Sequence, residues 1–441
     1  PRPLLLPPPV PAPGPVLAGR PFVTVWNVPS EPCARWHNVT LPLGVFDVLA
    51  NAQQAFEGQD VTLFYSQRLG LYPHYSPQGD PVDGGLPQND ALPDASYGGL
   101  AVIDWESWRP LWVRDWGSMD VYRQRSEELV RQQHPEWPSS LVEKLRLRPG
   151  GYWGFYGFPD CYNNDFGSPQ YDGSCPAVER QRNQELGWLW NSSRALYPSI
   201  YLPTQLKGTG KVLSYVRYRV AEAFAVQDGV LAAAIPVLPY AQIAFDNTID
   251  FLSEDLVNTI GESAAQGAAG IVLWGSSNYS TSKTCLKLKD YLDGALGHYI
   301  VNVTTSAQLC SQSLCSGHGR CVRRGDQESF LHLDPLRFAI DLSAAKPQPV
   351  VRSLAAGVDT SQLAEGFSCQ CYSGWQGERC DTQQATSTTQ GVLFLLPPAL
   401  KQLWVSGAPS LSLQATLKGL HFYIFQLMSS KPTEIVWKIF K

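Results

Sequence analysis

The stretch Leu100–Glu106, with the sequence Leu-Ala-Val-Ile-Asp-Trp-Glu, is an apolar run that ends in two carboxylates. Residues at positions i and i+2 of a strand point to the same face, so Asp104 and Glu106 are expected side by side at its end. Two adjacent carboxylates do not both ionise cheaply, so we expect one of them to have a raised pKa and to keep its proton as a general acid. The alternative is a solvated strand end with a salt bridge to Arg109.

Six further apolar runs also read as strands: Phe22–Val28, Val61–Tyr65, Tyr152–Phe158, Ser199–Leu202, Val237–Ala244 and Gly270–Trp274. Helical spacing is clearest in Ser118–Gln133, Ala177–Leu196, Val212–Ala225, Ser253–Ala268 and Thr284–Leu296. Strands that alternate with helices are typical of βα units around a parallel sheet. The α/β fold that closes such a sheet most economically is a (β/α) barrel of TIM type. A doubly wound sheet would favour a glycine-rich turn after its first strand, and residues 25–29 contain no glycine.

The composition favours a globular protein that binds neither nucleic acid nor a metal. Apolar residues make up 44% of the 441 residues, enough for a large core. The 34 Lys+Arg against 39 Asp+Glu give a net charge of -5, whereas proteins that bind DNA or RNA typically carry a basic surface. The seven histidines show no metal-ligand spacing, so no metal or cofactor is expected. The C-terminal apolar runs are shorter than the ~20 residues of a spanning helix, so membrane association is only a minority alternative to a free monomer.

Cysteines and glycosylation sequons indicate the secretory pathway. The ten cysteines are even in number, and Asn-x-Ser/Thr triplets occur at Asn38, Asn191, Asn278 and Asn302. Disulfides and N-glycans both form in an oxidising compartment outside the cytosol. The proline-rich residues 1–19 are expected to form an extended, poorly packed arm.

Aromatic and polar side chains gather at the predicted strand ends, where barrel enzymes keep their catalytic groups. These residues are Asn27, Tyr65, Tyr156, Tyr201, Asp246 and Trp274. Aromatic rings can stack on sugar faces while hydroxyls and carboxylates bind sugar hydroxyls and amides, so the set predicts a carbohydrate ligand. For any single ring, core packing is the competing interpretation.

The C-terminal cysteines resemble those of an epidermal-growth-factor-like (EGF-like) module. Their spacing is C-x4-C-x5-C, a 47-residue gap, then C-x-C-x8-C, and the resemblance implies the pairs Cys310–Cys321, Cys315–Cys369 and Cys371–Cys380. With that pairing, Cys161 and Cys175, fourteen residues apart, would close a local loop, and Cys33 with Cys285 would join the first and last βα units.

A longer series of motifs resembles the animal hyaluronidases of the lysosomal and somatic type, glycoside hydrolase family 56. The series runs from Arg20 to Cys380 and includes residues 84–89, 101–106, 108–110, 153–162, 195–201, 261–265 and 272–275. The resemblance implies a catalytic barrel over residues 20–305 and an EGF-like module over 306–381 with a long insertion at 322–368. Residues 382–441 would then be a linker and an unassigned tail.

The family resemblance implies an endo-β-N-acetylhexosaminidase that hydrolyses hyaluronan, and more weakly chondroitin, by a retaining, substrate-assisted mechanism. Glu106 would donate the proton and later activate water, Asp104 would hold the substrate's 2-acetamido group, and Tyr156 with Tyr201 would position it. Hyaluronan and related glycosaminoglycans would be the partners, in a lysosomal or extracellular setting, with a cell-surface anchor as the alternative. The implied substrate-binding residues are Asn27, Tyr65, Arg109, Asp160, Asp246 and Trp274.

Two stretches depart from the family pattern. The 32-residue link 67–98 shows no helical period, and only Ser139–Arg148 precedes the fourth strand, where members of the family carry helices. Lost helices would uncover apolar strand faces. Three functions therefore stay open: an active acid hyaluronidase, a catalytically weak hyaluronan-binding protein, and a non-productive shortened isoform.

Overall fold

A computed structural model describes most of the chain up to residue 384. The residues described are 11–65, 74–75, 81–82, 97–104, 106, 117–119, 121, 151–228, 231, 233–246, 248–325, 328–341, 350–354 and 361–384. The chain divides into two units, Pro1–Gln383 and Gln384–Lys441. Apart from Gln384, the second unit lies outside the described residues, and so does nearly all of the tail expected at 382–441.

Two sheets of parallel strands lie in the first unit. The strands are β1 (Val23–Asn27), β2 (Val48–Ala50), β3 (Val61–Phe64), β4 (His74–Tyr75), β5 (Pro81–Val82), β6 (Leu100–Ile103), β7 (Tyr152–Phe155), β8 (Tyr240–Gln242), β9 (Gly270–Trp274), β10 (Gly319–Arg323), β11 (Phe338–Asp341), β12 (Val350–Ser353), β13 (Phe367–Cys371), β14 (Trp375–Gln376) and β15 (Thr382–Gln383). Two sheets are parallel throughout, one in the order β2-β1-β9-β8 and the other in the order β3-β6-β7.

Isolated bridges and one side chain connect the two parallel sheets. Parallel bridges pair Tyr197 with Tyr156, just after β7, and Ser199 with Tyr240 of β8. At the other edge, Asn51 follows β2 and binds the start of β3, where its Oδ1 accepts from Val61 N at 3.0 Å and its Nδ2 donates to Val61 O at 2.7 Å. The strands thus follow one another in chain order, as in the (β/α) barrel that the sequence predicts.

β1, β3, β6 and β8 are buried on both faces, which is typical of a parallel sheet covered by helices. Val25 packs with Leu63 and Val102 in one apolar cluster, while Trp26 of the same strand belongs to a second cluster with helix residues. Six of the seven predicted strands are confirmed as strands. The predicted strand Ser199–Leu202 pairs only through the isolated bridge at Ser199, and β2, which is three residues long, was not predicted.

Helices follow the strands; the predicted helix Val212–Ala225 is confirmed with the same bounds, whereas the bounds of the others differ from the predicted ones. The α-helices are Glu31–His37, Ala177–Glu185, Gly187–Ser192, Val212–Ala225, Glu262–Ala265, Ser282–Tyr291, Gly297–Leu314 and Ser361–Gly366. Shorter 3-10 turns span Leu43–Phe46, Ala52–Gln54, Gly117–Met119, Thr204–Leu206 and Ser277–Ser280, and π turns span Val257–Gly261 and Leu292–Leu296. The predicted helix Ala177–Leu196 is wrong as one element, since Leu186 leaves helical geometry at ψ 19° and a second helix begins at Gly187. The predicted helix Ser118–Gln133 lies almost entirely outside the described residues.

Antiparallel pairs and disulfides organise the C-terminal part. β10 pairs with β13, β11 with β12 and β14 with β15. The boundary expected between residues 305 and 306 falls inside the helix Gly297–Leu314, so no linker separates the two parts there. The five disulfides are the three pairs that the EGF-like resemblance implies and the two expected beside them. They are Cys310–Cys321, Cys315–Cys369, Cys371–Cys380, Cys161–Cys175 and Cys33–Cys285.

Two peripheral segments pack against this framework. In the insertion 322–368, the His332 ring lies 2.7 Å from the Tyr299 hydroxyl, and Leu333 N donates to Asn302 Oδ1 at 2.6 Å. Ala12 is buried, and its N–H donates to the Cys371 carbonyl at 2.8 Å. The expectation that residues 1–19 form a poorly packed arm is therefore wrong for this position, because backbone pairing with the C-terminal part holds it.

Replacing Asn51 is expected to destabilise the fold at the junction of β2 and β3. Its amide also accepts from Asp60 N at 2.9 Å and donates to Ala55 O at 3.0 Å, so Asn51→Ala leaves several buried backbone groups without partners. We expect the free energy of unfolding to fall by about 3 kcal/mol in chemical denaturation. Gln170→Ala, at an exposed amide, serves as the control and should change it by less than about 0.5 kcal/mol. Equal effects of the two changes would contradict a closing role for Asn51.

Candidate active site

The two carboxylates that follow β6 face one cavity. Asp104 is 8% exposed, and its backbone N–H donates to the Phe64 carbonyl at 2.9 Å, which continues the pairing of β6 with β3. Glu106, two residues further, is exposed. Both line a cavity of about 360 Å³. An inner, buried carboxyl beside an outer, accessible one can bind a polar group at one position and exchange a proton at the other.

Aromatic rings form one wall of this cavity. The ring centroids of Tyr156 and Tyr201 are 5.6 Å apart, and Tyr201 stacks on Trp274 at 5.6 Å. Tyr65, which also lines the cavity, stacks on Phe56 at 6.1 Å. A continuous aromatic surface beside carboxylates suits a sugar ring, whose apolar face packs on the rings while its hydroxyls are bound.

The tyrosines of this wall remain protonated phenols. Burial raises the pKa of Tyr156 and of Tyr201 well above the usual value, and the negative charges of Glu106 and Asp104 raise the pKa of Tyr156 further. The pKa of Tyr65 is also raised, chiefly by burial. A raised phenol pKa means that the neutral form persists to higher pH, so these hydroxyls can donate hydrogen bonds throughout the acid and neutral range.

A polar wall lies at the ends of β8 and β9. Gln242, at the end of β8, donates from Nε2 to Asp246 Oδ1 at 3.3 Å, and both residues line the cavity. Sequence reasoning missed Gln242, although its place at a strand end was a usable signal. It also missed Thr248, Ser276 and Tyr279, which lie on loops after the strands and carry no periodic pattern. Among the residues that the structure describes, those lining the cavity are Leu63, Tyr65, Asp104, Glu106, Tyr156, Tyr201, Gln242, Asp246, Thr248, Trp274, Ser276, Asn278 and Tyr279.

Of the residues expected to bind substrate, Asn27 and Asp160 are described and are not among those that line the cavity. Asn27 is buried behind it, where its Nδ2 donates to Phe56 O at 3.0 Å and its Oδ1 accepts from the Tyr240 hydroxyl at 3.4 Å. Asp160 accepts from Tyr162 N at 3.0 Å and pairs with Arg219 at 3.5 Å. Arg109 lies outside the described residues. Asn27 and Asp160 therefore support neighbouring elements.

Within the described part of the chain, no group of three or more His, Cys, Asp or Glu side chains could hold a metal ion. No described helix is both long and apolar enough to cross a membrane.

Comparison with known proteins identifies the family. The sequence pattern of the hyaluronidases, glycoside hydrolase family 56, matches residues 11–384. The chain belongs to the hyaluronidase family. It is thus a glycoside hydrolase, and the matched range includes all of the described residues that line the cavity.

Relatives with known names agree with the assignment. Hyaluronidase-1 of Homo sapiens is 49% identical over 407 residues, covering 83% of this chain and 94% of the relative. A hyaluronidase of Crotalus adamanteus is 41% identical over 414 residues, covering 84% of this chain and 92% of its own. The alignment with the human protein has 407 positions, whereas 83% of the 441 residues of this chain is about 366 residues. About 40 residues of the human protein are therefore aligned with gaps in this chain.

A solved structure shares the fold. Bee venom hyaluronidase in complex with a hyaluronic acid tetramer superposes with a TM-score of 0.53 at 30% sequence identity. The match covers 63% of this chain and 98% of the bee venom chain. The parallel α/β fold of this hyaluronidase is therefore that of its family.

Proposed function

We propose that this chain hydrolyses hyaluronan, and chondroitin more weakly, as a retaining endo-β-N-acetylhexosaminidase. The observation that carries the proposal is the pair Asp104 and Glu106, which line one cavity together with the aromatic wall of Tyr156, Tyr201 and Trp274. A catalytically silent hyaluronan-binding protein would have no need of an accessible acid at that position. The bee venom relative bound to a hyaluronic acid tetramer supports the choice of substrate.

In the proposed mechanism, the substrate supplies its own nucleophile. Glu106 donates its proton to the glycosidic oxygen while the carbon–oxygen bond to the anomeric carbon breaks. The acetamide oxygen of the same sugar attacks that carbon and forms a cyclic oxazolinium ion. Glu106, now a carboxylate, takes a proton from water as the water oxygen attacks the anomeric carbon and opens the ring. Two displacements at one carbon retain its configuration.

Asp104 and the two tyrosines have positioning roles in this proposal. The buried Asp104 carboxylate would accept the acetamide N–H and stabilise the positive charge that develops on the nitrogen. The hydroxyls of Tyr156 and Tyr201 would hold the acetamide group in the attacking orientation. Such pre-positioning matters because an intramolecular attack depends on the alignment of the reacting atoms.

The sugar rings themselves would pack against the remaining lining residues. Trp274 and Tyr65 would provide apolar contact, and Asp246 would bind sugar hydroxyls. Asn27 and Asp160 would act from behind the cavity, through β8 and the segment after β7. We place the enzyme in the secretory pathway, lysosomal or extracellular, because its ten cysteines form five disulfides.

The pH dependence of hydrolysis tests this proposal. Glu106 must be protonated to begin the cycle, so we expect the rate to be highest in acid and to fall toward neutrality. Because the raised pKa values keep Tyr156 and Tyr201 protonated, their ionisation cannot cause that fall. The measurement is release of reducing ends from hyaluronan between about pH 3.5 and 7.5. A flat profile over this range would contradict the assigned role of Glu106.

The same assay separates the alternatives. Binding of hyaluronan without cleavage would indicate a binding protein. An insoluble or protease-sensitive protein would indicate a non-productive shortened isoform. The gaps in the alignment with human hyaluronidase-1 are the observation behind this alternative. All four residues of β6, the strand that precedes Asp104 and Glu106, are buried. This burial favours a folded enzyme over a non-productive isoform.

A further inference from the structure

The sequon Asn278-Tyr279-Ser280 lies at the candidate active site. Asn278 is exposed, yet it is one of the residues that line the 360 Å³ cavity, together with Trp274 and Asp246. It occupies the 3-10 turn Ser277–Ser280, directly after β9. Anything attached to its side chain would start from the rim of the cavity.

The turn that carries Asn278 is fixed on both sides. Ser276 Oγ accepts from the Asn278 backbone N–H at 3.3 Å, and Ser280 Oγ donates to Pro29 O at 2.7 Å. The Tyr279 ring is buried, and its hydroxyl donates to Thr248 O at 2.9 Å. The backbone is therefore held while the Asn278 side chain stays accessible, so an attached group would leave the surface at a defined place.

The other three sequons lie elsewhere in the described part of the chain. Asn302 Oδ1 accepts a hydrogen bond from Leu333 N, and Asn191 Nδ2 donates to Gly187 O at 2.9 Å. Asn38 is exposed at the end of the helix Glu31–His37. None of these three lines the cavity, so Asn278 is the sequon at which a glycan would meet the substrate.

We propose that Asn278 carries an N-linked glycan that stands at the mouth of the cavity and selects against long polymer relative to short oligosaccharide. This inference rests on the proposed function, since it concerns access to that site. An endo-acting hydrolase must accept a chain that continues beyond the cavity on both sides. A hydrated, covalently held glycan on one wall reduces the orientations in which a polymer can enter, whereas a short oligosaccharide still fits.

Protein from a secretory host tests the inference. Asn278→Gln removes the acceptor, Ser280→Thr keeps both the sequon and the hydroxyl, and Thr40→Ala removes the distant sequon at Asn38. Endoglycosidase trimming of the unaltered protein removes the bulk of the glycan without a substitution. We expect Asn278→Gln and trimming to raise the ratio of kcat/KM on polymeric hyaluronan to that on the tetrasaccharide on the order of fivefold. Ser280→Thr and Thr40→Ala should leave the ratio unchanged.

Peptide mass mapping supplies a second, independent readout. An unmodified Asn278 in the secreted protein, or an unchanged ratio after its glycan is removed, would overturn the inference. Measuring the affinities for polymer and tetrasaccharide in a Glu106→Gln background makes the result independent of catalysis. If these affinities shift while no form of the protein cleaves hyaluronan, the inference stands and the proposed function fails.

Discussion

Glu106→Gln is expected to lower kcat on hyaluronan by about 10³-fold and to leave binding intact. The amide keeps the size of the side chain but has no proton to give to the glycosidic oxygen, and it cannot later take one from water. Glu106 is exposed at the cavity, and the amide has nearly the same volume, so the change leaves no gap in the core. Reducing-end release at acidic pH measures the first effect, and calorimetric titration with hyaluronan oligosaccharide measures the second.

Glu31→Gln is the matched control for that change. Glu31 is a partly exposed carboxylate that pairs with Arg35 at 3.1 Å within one helix, and it is not among the residues that line the cavity. We expect its replacement to leave kcat within about twofold and the free energy of unfolding within about 0.5 kcal/mol. If Glu106→Gln kept more than a tenth of the activity, another group would have to be the acid.

Glu262→Gln is expected to lower the free energy of unfolding by about 4 kcal/mol. The Glu262 side chain is fully buried and binds Arg217 Nε at 3.0 Å and both terminal nitrogens of Arg323 at 2.7 and 2.6 Å. The Arg323 side chain is 6% exposed, so without the carboxylate its guanidinium loses its counter-charge inside the protein. Denaturant unfolding followed by intrinsic fluorescence measures the loss.

The position of Glu262 explains why this effect should be large. Arg217 belongs to the helix Val212–Ala225 of the barrel, whereas Arg323 belongs to β10, which pairs with β13 in the C-terminal part. One carboxylate thus joins both parts of the unit. Asp293→Asn, which breaks the exposed pair with Lys289, is the control and should cost less than about 0.5 kcal/mol. If the two changes lowered the free energy of unfolding equally, the role of Glu262 in joining the barrel to the C-terminal part would be contradicted.

The strand pattern was readable from sequence because burial on both faces leaves a continuous apolar run. Val61–Phe64, Leu100–Ile103 and Gly270–Trp274 are such runs, and each is a strand within the predicted bounds. β2 was missed because three residues are too few to show a period, and a side chain, Asn51, completes its connection to β3. The helix break at Leu186 depends on tertiary contacts, since Leu186 and Trp190 are both fully buried.

The site was readable in part because parallel strands present their ends at one rim. That rule brought Asp104, Glu106, Tyr156 and Trp274 together, and all four line one cavity. The rule failed for Asn27, whose side-chain amide forms hydrogen bonds with Phe56 and Tyr240. Spacing along a strand does not show which neighbours form hydrogen bonds with a polar side chain. The motif that contains Glu262 was recognised as a family segment, but its two arginine partners lie 45 and 61 residues away in the chain.

Changing the nucleophilicity of the substrate's acetamide tests the central claim most directly. Hyaluronan hexasaccharides with N-acetyl and N-trifluoroacetyl groups have nearly the same shape, but fluorine withdraws electrons from the acetamide oxygen. If that oxygen attacks the anomeric carbon, kcat at acidic pH should fall by about a hundredfold or more on the fluorinated substrate. Equal kcat values for the two substrates would contradict substrate assistance and require a nucleophile from the protein.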